Sequence, residues 1–205
     1  MDQGGVFVIL FKMVRYHQKK YPSYIPLHLE EVAGHFDVRR VFPTLPYSLH
    51  TEYSYGKRTF QSELIQKYPE IVRANQDGIP QLWKNEVWAE SFAAFLMELT
   101  KNMPAPSVIE IHPPFHDYVG SMREFIEIYQ VFETQIKSRW RETDILIENR
   151  CGSRYRGGRF LISTAPQIKE LCAWIESEHL KLRIAFDIPQ LYTAHQVTPK
   201  RSYEI

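Results

Sequence analysis

Four apolar runs in this chain stop on side chains that bind metals or move protons. "YSLH" ends on His50, "SVIEIH" on His112, "DILIE" on Glu148 and "LRIAFD" on Asp187. Carboxylate oxygens and imidazole nitrogens together suit Zn, Mn or Mg, according to how many of each converge. A single acid at a strand end also serves as a helix cap or a loop acceptor. Two acids and two histidines at four strand ends point to a shared polar or metal site, and both readings stand at this level.

The residues after Glu148 carry a second kind of chemistry. Between Asn149 and Arg159 lie Arg150, Arg154, Arg156 and Arg159, interleaved with Gly152, Gly157 and Gly158 and with no acid. Guanidinium forks bind phosphate with two parallel hydrogen bonds, and glycines let backbone approach an anion closely. The functional reading is recognition of an anionic part of a substrate; the alternative is a solvated surface loop. No GxxxxGK[ST], CxxC, HExxH or GxSxG pattern occurs, which removes the P-loop, the common zinc motifs and the hydrolase elbow.

Alternating elements must position these groups. Ser121 and Glu124 form a capping box before a helix whose apolar positions are Phe125, Ile128, Tyr129, Phe132 and Ile136. Thr164 and Gln167 suggest another, with Pro166 in the first turn and Ile168, Leu171, Cys172 and Ile175 as its stripe. Trp88, Phe92, Phe95, Leu96 and Leu99 mark a helix before "SVIEIH". From about residue 47 the order is therefore β, long loop, then α and β in alternation, which implies parallel strands joined by right-handed crossovers. The opening segment is read as a helix near 6–20 and a short strand near 38–42.

Strand periodicity sorts the faces. Ile109, Ile111, Ile145, Ile147, Ile184 and Phe186 share one face and should meet helices; Glu110, His112, Glu148, Arg183 and Asp187 share the other. A flat sheet covered on both faces reads apolar throughout, so a charged face favours a (β/α) barrel with the charges at its inner rim. Within that face Glu110 is expected to pair with Arg183, the alternative being to orient His112. The tryptophans are expected to pack on helix flanks, and His195 to sit in a surface loop.

Bulk properties set the frame. The chain has 205 residues, 44% hydrophobic and 24% charged, enough for one domain over 1–205 with a real core. A net charge of +1 gives no global attraction to nucleic acid. The apolar run Val6–Phe11 is too short to span a bilayer, and with only Cys151 and Cys172 there is no disulfide framework. The protein reads as cytoplasmic.

In order and spacing, "YSLHTEY", "VIEIHPP", "DILIENR" and "IAFDIPQLY" resemble successive strand ends of the xylose-isomerase-like TIM barrels, a superfamily of sugar isomerases, epimerases and apurinic-site endonucleases. The resemblance spans about residues 45–195. It implies an α/β fold of the (β/α) TIM-type barrel kind, incomplete at its C-terminal end because the family draws further ligands from later strands. It implies a divalent ion (Zn, Mn, Mg or Co) held by Glu148, Asp187 and His112, with Glu148 and Asp187 as the catalytic pair. His50 and Gln190 would contact substrate, Gln190 standing where the family has a histidine, and Arg150, Arg154 and Arg156 would add anion contacts. The implied activity is isomerisation or epimerisation of a small sugar or sugar phosphate. The alternatives are a degenerate barrel that binds such a ligand without turnover, and a phosphodiesterase. An incomplete barrel would also need its open edge covered, by Val6–Phe11 packing beside Leu182–Asp187 or by a second copy of the chain.

Overall fold

A computed structural model describes residues 30–33, 46–51, 66–72 and 80–196, with backbone alone for 30–33 and 72. The elements run β1 (Glu30–Ala33), β2 (Tyr47–His50), α1 (Pro69–Val72), α2 (Glu86–Leu99), β3 (Val108–Ile111), α3 (Met122–Arg139), β4 (Asp144–Glu148), α4 (Ala165–Ser177), β5 (Leu182–Ala185) and α5 (Ile188–Ala194). The expected segments near 6–20 and 38–42, and Val6–Phe11, lie outside the described residues.

Local chemistry starts the helices where the sequence says it should. Asn85 caps α2 by accepting the Trp88 N–H at 2.9 Å, and Ser121 accepts the Glu124 N–H at 3.2 Å. The return arm of that box reaches one residue farther back, since Glu124 Oε2 accepts the Gly120 N–H at 2.9 Å. At α4, Gln167 Oε1 takes the N–H groups of Thr164 and Ser163 at 2.9 and 3.1 Å. The bonds from the Trp88 and Glu124 N–H groups satisfy donors that the helices themselves leave open, and the others tie down the residues just before them. The last helix, α5, was not legible as such; Asp187 caps it, with Pro189 in its first turn.

All five strands are parallel and lie in chain order, β1-β2-β3-β4-β5. Leu49, Ile109, Ile145 and Leu182 stand level across β2 to β5, as do Ile111, Ile147 and Ile184 across β3 to β5. These residues join Trp88, Phe92, Phe95 and Leu96 of α2, Phe125, Tyr129, Phe132 and Ile136 of α3 and Leu171 of α4 in one core. Each crossover steps one strand in the same direction, so right-handed connections put the helices on one face. Trp83 lies inside this layer, its ring edge-on to Phe125 at 5.5 Å and to Phe132 at 5.4 Å.

The architecture corrects the barrel expectation. The sheet is open: among the described residues β5 has no partner beyond β4. Five strands are too few to close around a filled interior, which takes about eight. The exposure of β5 follows from its place at the edge. Arg183 is exposed and pairs with Asp144 at 3.3 Å rather than with Glu110. Ile184 is half-buried, and Phe186 is 54% exposed instead of buried. Cys172 also faces outward, since α4 buries Leu171 alone on that stripe.

Central and edge positions should therefore respond differently to truncation. Ile147 is wholly inaccessible to solvent, and Ile147→Ala is expected to cost about 2–5 kcal/mol in urea unfolding. Phe186→Ala is expected to cost under about 1 kcal/mol. Equal losses at the two sites would contradict the assignment of faces and edge.

Candidate metal centre

On the sheet face away from the helices, the strand register gathers the ionisable groups. His50 stands beside Glu110 across β2 and β3. One residue past β3 comes His112, beside Glu148 at the end of β4. Backbone clamps fix these ends. Thr51 directs both its N–H and its Oγ1 to the Glu110 carbonyl, at 3.0 and 2.6 Å. The Trp83 indole donates to the His112 carbonyl at 2.7 Å. Trp83 adopts φ 59°, a left-handed backbone that a bulky residue enters only when its surroundings demand it. The sequence suggested helix-flank packing for this residue; it also holds the strand end that carries His112.

His50, Glu110, His112 and Glu148 bring one donor atom each to within 4.8 Å of all the others, a group that could hold a metal ion. The two Nε2 atoms are 3.2 Å apart. His112 Nε2 is 3.0 Å from Glu148 Oε2, and His50 Nε2 is 3.6 Å from Glu110 Oε1. Ligands around a tetrahedral ion at the usual zinc–nitrogen distance sit about 3.3 Å from one another. The three short separations bracket that value, and two nitrogens with two carboxylate oxygens are a donor set for such an ion. Glu110 was read as a structural acid; its place in this group was missed because one strand's alternation cannot show which residue stands level with it on the next.

Asp187 has a different position. Its Oδ1 accepts the Gln190 N–H at 2.9 Å as the cap of α5, and it is not one of the four clustered donors. The Asn149 amide clasps its backbone, donating to the Asp187 carbonyl at 2.9 Å and accepting its N–H at 2.7 Å. Gln190 links the two acids: its Nε2 donates to Glu148 Oε1 at 2.9 Å and to Asp187 Oδ2 at 3.1 Å. The carboxylates thus converge on an amide. His195 is no loop histidine either, because its Nε2 accepts the Ala165 N–H at the start of α4, at 2.9 Å.

The arginine loop divides. Arg150 is buried, with Nη1 against Glu148 Oε2 and its guanidinium over the Phe160 ring at 5.6 Å. Arg154, Arg156 and Arg159 are exposed on a tight turn closed by paired hydrogen bonds between Tyr155 and Gly158. Gly158 has φ 88°, and a Cβ there would lie 2.6 Å from Asp117 Oδ1. Glycine at that position serves the turn and the close approach of Asp117.

Burial sets the protonation of the centre. It pushes the His112 imidazole down to about 4, with Arg150 and His50 adding to the push and the Glu148 hydrogen bond opposing it. Burial alone would raise Glu148, but His112 and the Arg150 guanidinium outweigh it and hold the carboxyl at about 2. His112 is neutral near pH 7, so the lasting positive charge beside Glu148 is that of Arg150. His112 Nδ1 is buried with no hydrogen-bond partner, so in the ion-free centre the imidazole proton sits on Nε2, where Glu148 accepts it; an ion bound through Nε2 would require the proton on Nδ1.

Both shifts act in one direction on stability. An unfolded histidine takes its proton near pH 6.5 and folded His112 only near 4, so this group destabilises the fold as pH falls between those values. Glu148 stabilises above about 4.5, and that contribution is lost as pH falls toward 2. With chelator present, stability should drop on acidification from pH 6.5, by on the order of 3 kcal/mol from His112. His112→Gln should flatten the limb between pH 6.5 and 4; an unchanged slope would show that His112 does not set it. Against protein-family models, curated proteins and solved structures the chain gives no match, so what it does has to be argued from the chemistry of this site.

Proposed function

We propose that the chain is a divalent-metal-dependent enzyme of the sugar isomerase or epimerase kind, acting on a small hydroxylated carbonyl compound. The observation that carries this is the meeting of four nitrogen and oxygen donors from three adjacent strands. Two imidazoles beside two carboxylates favour Zn, Mn or Co over Mg, which prefers all-oxygen surroundings. A divalent ion held there supplies a Lewis acid for neighbouring hydroxyl and carbonyl oxygens. The protein's own groups divide the remaining work. His112, with its side chain 1% exposed, is the most enclosed of the four donors; Glu148, His50 and Glu110 are 13%, 15% and 23% exposed. Arg150 offsets the charge of Glu148, and the exposed Arg154 and Arg156 are offered as contacts for an anionic part of the substrate. Phosphodiester hydrolysis by a cluster of ions is less well supported, since the described residues contain a single four-donor group.

One observation favours a second reading, a closed polar network with no ion. Glu148 already receives Arg150, His112 and Gln190, and a buried carboxylate so satisfied has no need of a metal.

Metal titration separates the two. Chelator-treated protein exposed to Zn, Mn or Co should bind about one equivalent and melt at a higher temperature. His112→Ala and Glu110→Ala should each weaken binding about tenfold or more. If no ion is retained and none shifts the melting temperature, the metal-dependent reading fails and the closed network stands.

A further inference from the structure

Gln190 ties together three segments around Glu148. Its Oε1 accepts the Cys151 N–H at 2.9 Å, while its Nε2 donates to Glu148 Oε1 and Asp187 Oδ2. The amide orientation is forced, because a backbone N–H needs the oxygen and two carboxylates need the nitrogen. Asp187 fixes the backbone of the same residue by accepting its N–H. The loop after β4 is pressed onto α5 from the other side: a Cβ at Gly152 would lie 2.6 Å from the Ala194 Cα. That close approach brings the Cys151 N–H onto the Gln190 oxygen.

The two oxygens of Glu148 consequently have different partners. Oε2 faces His112 and Arg150, and Oε1 faces Gln190. A carboxylate able to turn about its terminal torsion can offer both oxygens to one ion. Held on one side by an amide, it offers a single oxygen. We infer that Gln190 is a positioning residue that fixes Glu148 as a one-oxygen metal ligand, through Oε2. Oε2 can still accept from Arg150, since a carboxylate oxygen has a second lone pair. The inference rests on the metal-centre reading above and adds to it how the ligand is oriented.

Cobalt makes the coordination visible. The full chain and the variants Gln190→Met, Gln190→Ala and Gln190→Lys are loaded with saturating Co2+ and compared by visible absorption and X-ray absorption. Methionine and alanine remove the donor at two different side-chain volumes, so a folding failure in one leaves the other to decide. Lysine keeps a donor for Glu148 Oε1. In the Met and Ala variants Glu148 should become bidentate, raising the number of light-atom neighbours by about one and lowering the d–d absorption by about half or more. Gln190→Lys should keep the wild-type spectrum. A packing role for Gln190 alone would move the melting temperature and leave the spectrum of bound cobalt unchanged. If the wild type binds Co2+ and the Met and Ala spectra match it, the inference falls while the metal centre survives. A lysine variant that behaves like methionine overturns it as well, because the donor is then not the cause. A wild type that binds no Co2+ removes the metal-centre reading, and this inference with it.

Discussion

One buried carboxylate organises the strand ends. Glu148 leaves the sheet at the end of β4 and lies 13% exposed against a neutral imidazole, a guanidinium and an amide. An ionised carboxylate in such a place is tolerated only when its oxygens are occupied, because burying it unpaired costs far more than any single contact returns. The cost dictates what the surrounding segments must do. The loop after β4 has to turn Arg150 back onto Glu148, two residues before it. The strand end of β3 has to present the Nε2 edge of His112. The helix after β5 has to start where Gln190 can reach Glu148 Oε1. Each segment is then fastened by its own bonds: Trp83 on the His112 carbonyl, Asn149 on both polar groups of the Asp187 backbone, and Asp187 on the first turn of α5.

The singly wound sheet is what makes the arrangement possible. With strands in chain order and every crossover stepping the same way, the helices bury one face and leave the other for polar groups. The parallel register sets His50 level with Glu110 and brings Glu148 beside His112. Charged groups can share that face because the apolar work is done opposite, by Leu49, Ile109, Ile111, Ile145 and Ile147, each wholly inaccessible to solvent.

Sequence showed the parts that depend on period and on local caps. Alternation in "SVIEIH" and "DILIE" sorted the core isoleucines from the polar face, and the spacing of Phe125, Tyr129, Phe132 and Ile136 fixed α3. The capping residues Ser121 and Thr164 marked where helices begin. What stayed hidden depends on neighbours distant in the chain. Asp187 ends its apolar run just as Glu148 does, yet one caps a helix and the other joins the donor cluster. The difference lies in Gln190, whose side chain reaches across 42 residues of sequence to Glu148. Glu110 looked like a partner for Arg183 because both lie on the same face; Asp144 took that arginine instead. The incomplete barrel was inferred from the resemblance of the strand ends and from charges on one face. That pattern reports that helices cover only the other face, and it says nothing about whether the sheet's edges meet.

Arg150 bears on both readings of the site. Its guanidinium lies over the Phe160 ring and against Glu148 Oε2. Phe160 in turn stacks on Phe115 with ring centroids 4.1 Å apart, which anchors the returning loop to the segment after β3. The arginine is thus held by packing as well as by charge, and arginine tolerates such burial because its planar group combines ring stacking with directed hydrogen bonds. In an ion-free centre it neutralises Glu148 and completes the network. Beside an ion held through Glu148 Oε2 it would draw electron density from that oxygen and weaken it as a ligand. The contact that neutralises Glu148 without an ion would therefore compete with an ion for the same oxygen.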